Sequence, residues 1–216
     1  MKINRRDFIK TGGMVMLGSL AVPSFLGSCT GNKVDQATGI SFAQNHFGVS
    51  ENDMKKVLAA ALEKGGDYAD LFFEHSYRNN IGLQDGAVNR ASSNIDFGMG
   101  VRVLAGDQTG YAYVENVTLD EMLKAARTAA RIATGSAGKA PVALTEEPIP
   151  NNYYGVQTPW DELAVNAKTP YLQKLNDQIF ALDKRVHKVM ASLGDTTSHI
   201  LFCNSEGQMY LSLIHI

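Results

Sequence analysis

The chain has 216 residues, of which 44% are hydrophobic and 19% charged, a composition typical of a globular protein with a sizeable core. Its formal charge is −2, and it becomes −5 without residues 1–28, because 16 basic and 21 acidic residues remain. This acidic balance excludes nucleic-acid binding through a basic surface, and a content of two cysteines, Cys29 and Cys203, excludes a disulfide scaffold.

The first residues indicate an export signal. Arg5 and Arg6 precede Phe8, and this arrangement resembles the twin-arginine signal, whose receptor recognises both guanidinium groups. The apolar stretch that follows, residues 14–26, is shorter than the roughly 20 residues that a transmembrane helix needs. We therefore expect residues 1–28 to be a signal peptide that is removed from the mature protein.

A lipid anchor is predicted at the end of this signal. Leu26-Gly27-Ser28-Cys29 resembles the lipobox of bacterial lipoproteins, so Cys29 is the expected lipidation site. The polar residues after it indicate a tether over residues 29–49. These features predict an exported protein of the periplasm or cell envelope that is attached to a membrane through lipid. The alternative is an ordinary cleavage site at which Cys29 stands by chance.

The folded part is predicted to begin with a helix. Ser50 and Asp53 match a capping box, and the apolar residues after them recur at three- and four-residue spacing. The pattern ends at Gly65-Gly66, which suits a helix C-terminus.

A series of short strands is predicted after this helix. The expected strands are Tyr68–Arg78, Ile81–Gln84, Ala87–Ser92, Phe97–Leu104 and Thr109–Val114. Asn79-Asn80 is an expected turn, and Asp85-Gly86 suits a tight hairpin because both positions tolerate a positive φ. Since short turns join successive strands, we predict an α+β fold with a mainly antiparallel sheet and helices packed against it.

Helices and one more hairpin are predicted in the rest of the chain. Thr118 begins a capping box, and the alanine-rich stripe after it predicts a helix that ends near Gly135. A long connection is expected over Ser136–Lys168, and Thr169-Pro170 then predicts the start of another helix. A final hairpin is expected around Gly194-Asp195.

Four segments, in this order, resemble the N-terminal half of the TldD/PmbA family. The segments are Tyr68–Glu74, Asp96–Val103, Gly110–Tyr113 and Asn204–Gly207. The resemblance spans residues 50–210, which we take as the predicted domain, and Asp107–Tyr113 is more similar to the TldD branch than to the PmbA branch.

The resemblance implies a metallopeptidase that works as an assembly of two kinds of subunit and acts on unfolded peptides. TldD-like chains carry zinc in a His-Glu-x-x-x-His type motif of the C-terminal half, and PmbA-like partner subunits lack it. In such a motif two imidazoles hold Zn²⁺ while the Glu acts as base on the metal-bound water. No His in this sequence is followed directly by Glu. We therefore assign no catalytic residue and no metal ligand, and we expect the chain alone to be inactive and to bind no zinc.

The last six residues resemble a sequence that does not come from the natural gene. Leu211–Ile216 matches one reading frame of a common sequencing adapter, and it begins where the family resemblance ends. We expect residues 211–216 to be a non-native tail on a gene truncated before its catalytic half. The alternative is a natural apolar terminal strand.

Single reactive side chains give weak indications of a site. His75 lies on the apolar face of its strand, where a packed histidine is more typical than a metal ligand. His187 and His199 are expected to flank the final hairpin, where two ligands without a carboxylate would make a weak metal site. Cys203 lies in an apolar strand, which predicts a buried inert thiol rather than a nucleophile.

A peptide-contact region is predicted around the glycines of the middle strands. Gly98, Gly100 and Gly110 indicate the close approach of another backbone, which could be a peptide substrate that adds as an extra strand. Arg102 lies among them. Together with Asp96, Asp107 and Glu115 it would form a charged rim of a substrate cleft, although ordinary turn and strand-edge charges explain these residues as well.

Three functions are compatible with these observations. The favoured one is the N-terminal, substrate-handling half of an exported TldD-like zinc metallopeptidase. The second is a non-catalytic PmbA-like subunit, and the third is a complete surface lipoprotein that binds peptides or another protein.

Overall fold

The computed structural model, which describes residues 39–134, 140–147, 158 and 160–215, contains one six-stranded sheet. Its strands are β1 (Tyr68–Gln84), β2 (Ala87–Ala105), β3 (Gln108–Val114), β4 (Thr145–Glu146), β5 (Met190–Asn204) and β6 (Gln208–His215). They lie in the order β3-β2-β1-β5-β6-β4, and every neighbouring pair is antiparallel except β4 with β6. The predicted α+β fold with a mainly antiparallel sheet is confirmed.

Four α-helices accompany the sheet in the described ranges. They are α1 (Gly39–Phe42), which continues into a π-helical turn over Ala43–Phe47, α2 (Glu51–Leu62), α3 (Leu119–Ile132) and α4 (Val165–Leu182). The predicted capping box of α2 is confirmed, because the Asp53 amide donates to Ser50 Oγ at 3.2 Å and the Ser50 amide donates to Asp53 Oδ2 at 3.3 Å. None of the helices in these ranges is long and apolar enough to cross a membrane.

The helices pack on one face of the sheet, which we call the inner face. Alternate residues of β1, including Ala69, Leu71 and Phe73, are fully buried there against α2 and α3. Further along the same face, Ile81 and Leu83 form a second, smaller core with Leu172 of α4. Because side chains alternate along a strand, the residues between these positions lie on the opposite, outer face.

Gly110 allows α3 to lie close to the sheet. It pairs with Val103 of β2 on the inner face, and a Cβ added to it would overlap the carbonyl oxygen of Ala129 in α3. The side of α3 that meets the sheet is built from buried alanines, among them Ala126, Ala129 and Ala130. Small residues on both sides therefore replace the larger side chains of an ordinary interface. Arg127 and Arg131 of the same helix are exposed.

A buried ion pair joins α4 to the distal end of the sheet. Lys168 Nζ lies 2.8 Å from Asp195 Oδ2, with side chains only 4% and 2% exposed. The same ammonium donates to the carbonyl oxygen of Trp160 at 3.0 Å, and Asn79 donates to the other oxygen of Asp195 at 2.8 Å. These hydrogen bonds satisfy a pair of charges that would be costly to bury alone.

Two strands are longer than the sequence predicts. β1 runs through Asn79-Asn80 without a turn, and β2 runs from Ala87 to Ala105 as one strand. The predicted hairpin at Asp85-Gly86 is confirmed, with φ values of 50° and 84°. Polar residues such as Asn79 and Asn80 suggested a turn, but their backbones pair with both β2 and β5.

The predicted final hairpin at Gly194-Asp195 is wrong. β5 passes straight through these residues, because they pair with Asn80 and Asn79 of β1. The chain turns instead after Asn204 and returns as β6, with Gly207 at φ 87°. β6 includes Leu211, which pairs with Leu201 and packs against the core.

The helix boundaries also differ from the predictions. α4 begins at Val165, so Pro170 lies inside it rather than in its first turn. Thr118 occupies the N-cap position of α3, but its side chain makes no capping hydrogen bond within the described residues. The predicted tether includes Phe47 and Val49, which are buried in the core. Arg5, Arg6, Phe8 and Cys29 lie outside the described residues.

We predict that Gly110→Ala destabilises the fold by about 1–3 kcal/mol, the typical cost of overpacking a core. The added methyl group would meet the rigid backbone of α3 rather than a movable side chain. Gly194→Ala is the matched control, since its added Cβ would lie 3.6 Å from the nearest atom, in ordinary contact. Urea unfolding followed by circular dichroism measures both, and equal unfolding free energies for the two variants would contradict the assignment.

Candidate functional site

The outer face of the sheet carries a row of aromatic residues. Tyr113, Phe72, Phe202 and Tyr210 lie in register across β3, β1, β5 and β6, with Gly100 of β2 between the first two. Tyr113 is 67% exposed, Phe72 41% and Tyr210 36%. Large aromatic side chains grouped on one open face are typical of a binding surface.

A cleft of about 480 Å³ opens in this face where β3 ends. Its lining comes from β1, β2, β3 and the residue after β3: Phe72, Glu74, Ile95, Asp96, Phe97, Gly98, Met99, Gly100, Tyr111, Tyr113, Val114 and Glu115. Two of the glycines predicted to contact peptide, Gly98 and Gly100, thus line one cleft.

The two glycines are required by the way that β3 approaches β2. A Cβ on Gly98 would lie 2.5 Å from the carbonyl oxygen of Val114, and one on Gly100 would lie 2.6 Å from the Tyr111 hydroxyl. The close backbone approach that glycine predicted is therefore present at Gly98, and the approaching backbone is that of this chain. Any larger residue at these positions would push Val114 or Tyr111 away from β2.

The cleft is acidic. Glu74, Asp96 and Glu115 line it, and Arg78 is the basic residue that binds two of them. Arg78 Nη2 lies 3.4 Å from Glu74 Oε1, and Arg78 Nη1 contacts Asp96. Three carboxylates against one guanidinium leave this region with a negative charge. The predicted charged rim thus includes Asp96 and Glu115.

Arg102 lies on the outer face beside the cleft, not in its lining. Its Nε and Nη2 lie 2.9 and 2.5 Å from Oδ2 of Asp70, its register partner on β1. Hydrogen bonding to the buried Asp70 raises the pKa of Arg102, so the guanidinium stays charged and in place. Arg102 acts here as a fixed partner of Asp70.

Gly110 does not join the other predicted contact residues. It lies on the inner face beneath α3, whereas Gly98, Gly100 and Arg102 lie on the outer face. Asp107 is also separate, because it lies in the turn between β2 and β3. Sequence spacing could not reveal this division, since it depends on strand register.

An open strand edge adjoins the cleft. β3 pairs with β2 only from Met99 to Ala105, and no other strand in the described ranges pairs with that side of β2 over residues 87–98. Residues 87–96 are all exposed. The unpaired edge therefore continues the line of β3 beyond the cleft.

Three histidines meet on the inner face. His75 and His199 are register partners on β1 and β5, and the ring of His46 stacks on that of His199 with centroids 4.4 Å apart. No group of three or more His, Cys, Asp or Glu among the described residues is arranged to hold a metal. The zinc that the resemblance implies thus finds no ligand set in these ranges.

The other reactive side chains occupy positions that the sequence only partly predicted. His199 faces His75 rather than His187, because the expected final hairpin does not exist. Cys203 is fully buried, and burial raises the pKa of its thiol to about 12, which makes it the inert cysteine that we expected. The proximity of His46 to His75 and His199 could not be read from sequence, since His46 falls in the segment predicted as a tether.

Comparisons with known proteins agree with the resemblance found in the sequence. Residues 69–133 match the family model described as PmbA/TldA metallopeptidase domain 1. A protein of Haemophilus influenzae named Metalloprotease TldD homolog is 32% identical over 146 residues, which cover 66% of this chain and 30% of that protein. A protein of the same name from Buchnera aphidicola subsp. Acyrthosiphon pisum is 28% identical over 162 residues, 74% of this chain and 33% of that one. The chain thus spans about a third of these relatives.

A solved structure shares the fold. The crystal structure of TldE from Thermococcus kodakarensis superposes with a TM-score of 0.56 at 19% identity, and the match covers 76% of this chain and 37% of that one. This structure supports the fold, and the matches to the family model and to the named relatives confirm the resemblance to the N-terminal half of the TldD/PmbA family.

We predict that stability falls as the pH drops below 6.5, the ordinary pKa of histidine. Burial lowers the pKa of His46 and of His75, and the charge of His46 lowers the pKa of His75 further. The unfolded chain therefore binds protons more readily than the folded one, so this contribution is complete above 6.5 and is lost on acidification. Among the described residues, the titratable rings of Tyr77 and His199 contact this pair.

Urea unfolding between about pH 5 and 8, the range in which histidine titrates, measures this dependence. His46→Gln combined with His75→Gln is expected to flatten the fall in stability, whereas the exposed control His187→Gln keeps it. A pH profile that the double substitution leaves unchanged would contradict the prediction.

Proposed function

We propose that this chain, which carries the first domain of the TldD/PmbA family over residues 69–133, is the substrate-handling N-terminal half of an exported TldD-like zinc metallopeptidase. On this proposal the natural protein continues after about Tyr210 into a catalytic half, and residues 211–216 are not native. The length of the relatives, about three times the matched segment, supports the proposal.

The observation that carries the proposal is the outer face beside the open edge of β2. A peptide bond is most accessible to a peptidase when the peptide is extended, and an open strand edge can hold a peptide in that form through backbone hydrogen bonds. The exposed rings of Phe72 and Tyr113, which lie in one row across the strands where this edge begins, would contact the end of such a peptide. This recognition depends on backbone and apolar surface, which suits substrates of varied sequence.

Zinc bound in the catalytic half would supply the activated water for hydrolysis. The described residues of this chain would bind and align the peptide. Gly98 and Gly100 let β3 approach β2 where the cleft forms, and the pair of Arg102 with Asp70 fixes the strand beside it. The chain alone is accordingly proposed to be inactive as a peptidase.

Export, anchoring and assembly are further parts of the proposal. Arg5, Arg6 and Phe8 would direct the chain to the twin-arginine route, and acylation of Cys29 would attach it to a membrane of the cell envelope. The partner would be a TldD/PmbA-type subunit, and the structural likeness to TldE supports such pairing. The same likeness favours, as second candidate, a non-catalytic PmbA-like subunit that closes the chamber of an active partner.

We predict that the natural reading frame, read through the codons after Tyr210, encodes a His-Glu-x-x-x-His type motif. The longer protein, expressed with its partner subunit, is expected to hydrolyse an unfolded peptide and to lose this activity on chelation of zinc. The 216-residue chain is expected to hydrolyse nothing with or without added zinc. Hydrolysis by the short chain, or a genuine stop codon after Ile216, would contradict the proposal, and a longer chain without the motif would favour the PmbA-like alternative.

Export is tested separately. Replacing both Arg5 and Arg6 by Lys is expected to leave the chain in the cytoplasm, because the receptor reads the guanidinium groups and not only their charge. Cys29→Ser is expected to preserve export and to abolish incorporation of radiolabelled palmitate. Fractionation and labelling measure the two steps, and Lys55→Ala, at a partly exposed residue of the folded domain, is a control that should change neither.

A further inference from the structure

The geometry points to a peptide of defined chemistry: we propose that the cleft takes a Lys or Arg side chain of an extended segment that pairs with β2 along residues 87–98. This inference rests on the proposed function, because it specifies which peptides the outer face prefers. It concerns selectivity rather than the hydrolysis itself.

The edge of β2 is long and has neither lysine nor proline, which commonly protect edge strands. It carries two charged residues, Arg90 and Asp96, and its register with β1 shifts opposite Val88 and Arg90. Residues 87–98 contain neither Lys nor Pro, and they form an exposed edge that no described strand covers on the side of β3. An incoming strand would continue the line of β3, and its backbone would meet the cleft where β3 stops at Val114.

The cleft lies where a side chain from such a strand would enter. Ile95, Asp96, Phe97 and Gly98 belong both to the open edge and to the cleft lining. The carbonyl oxygen of Val114 covers Gly98 on the outer face, but Glu74, the register partner of Gly98 on β1, lines the open part of the cleft. A long side chain that enters beside Gly98 would extend toward this carboxylate.

Charge decides which side chain fits best. Glu74, Asp96 and Glu115 surround the cleft, and Arg78 balances one charge of the three. A cationic side chain would find an unbalanced carboxylate, whereas an acidic side chain would be repelled. The rings of Tyr111 and Tyr113 also line the cleft, and aromatic faces attract ammonium and guanidinium groups. Its wall is apolar along Phe72, which suits the methylene stem of Lys or Arg.

Three peptides of about twelve residues, long enough to pair along the edge, test this inference. They are unstructured and identical except for a central Lys, Gln or Glu, and fluorescence anisotropy measures their binding to the full 216-residue chain. We expect the Lys peptide to bind about tenfold more tightly than the Glu peptide, with the Gln peptide between them. The preference should weaken as salt is raised, because the groups involved are partly exposed.

Charge reversal at the cleft gives the sharper result. Glu115→Lys changes an exposed residue and is expected to fold normally, and it should reduce binding of the Lys peptide and improve binding of the Glu peptide. Glu63→Lys, on the exposed end of α2 and away from the outer face, is the matched control and should leave the ranking unchanged. Unfolding curves for both variants verify that they fold.

The outcomes separate the two proposals. Equal binding of all three peptides, unaffected by Glu115→Lys, would overturn the preference for a cation while peptide handling stands. Absence of binding by every peptide would overturn both. Sedimentation analysis tests whether the outer face binds a second copy of the chain instead of a peptide. A concentration-dependent dimer that the peptide cannot displace would show this and would overturn the proposal.

Discussion

The alternation of side chains along β1 divides the molecule into two faces, and the other features depend on that division. Ala69, Leu71 and Phe73 point to the inner face, where α2 and α3 cover them, while Phe72 and Glu74 point to the outer face. β1 pairs with β2 and β5 along most of its length, so a shift of one residue would exchange the two faces entirely. Burial of one face fixes the register, and the register in turn assembles the cleft on the other.

Glycine serves opposite purposes on the two faces. On the inner face, Gly110 admits the backbone of α3 and contributes to the tightness of the core. On the outer face, Gly98 and Gly100 admit the end of β3 and the ring of Tyr111, which shapes an open cleft. Glycine thus supports stability at one position and shapes the cleft at two others. The difference depends only on which face of the sheet each position lies on.

Sequence predicted the local features better than the long-range ones. Three correct predictions depend only on neighbouring residues: the capping box at Ser50, the hairpin at Asp85-Gly86 and the alanine stripe of α3. The predicted side-chain cap of α3 at Thr118 is the exception, because it does not form within the described residues. The sequence predicts breaks in the polar segments of β1, β2 and β5 that the structure does not contain. Backbone pairing on both sides holds this segment of β1, and pairing with β1 holds those of β2 and β5, although these residues have little strand preference themselves. The acidic cleft was partly foreseen through Asp96 and Glu115, but Glu74 joins them through the pairing of β1 with β2, which local pattern does not contain.

Amide hydrogen exchange of the full chain, with and without a saturating Lys-containing peptide, tests most directly whether the outer face receives an extended substrate. The account predicts new protection at alternate amides of β2 between residues 87 and 98, because every second amide of an edge strand points away from its existing partner. It also predicts unchanged exchange in α2 and α3. Protection confined to the helices, or no change along β2 despite bound peptide, would contradict the account.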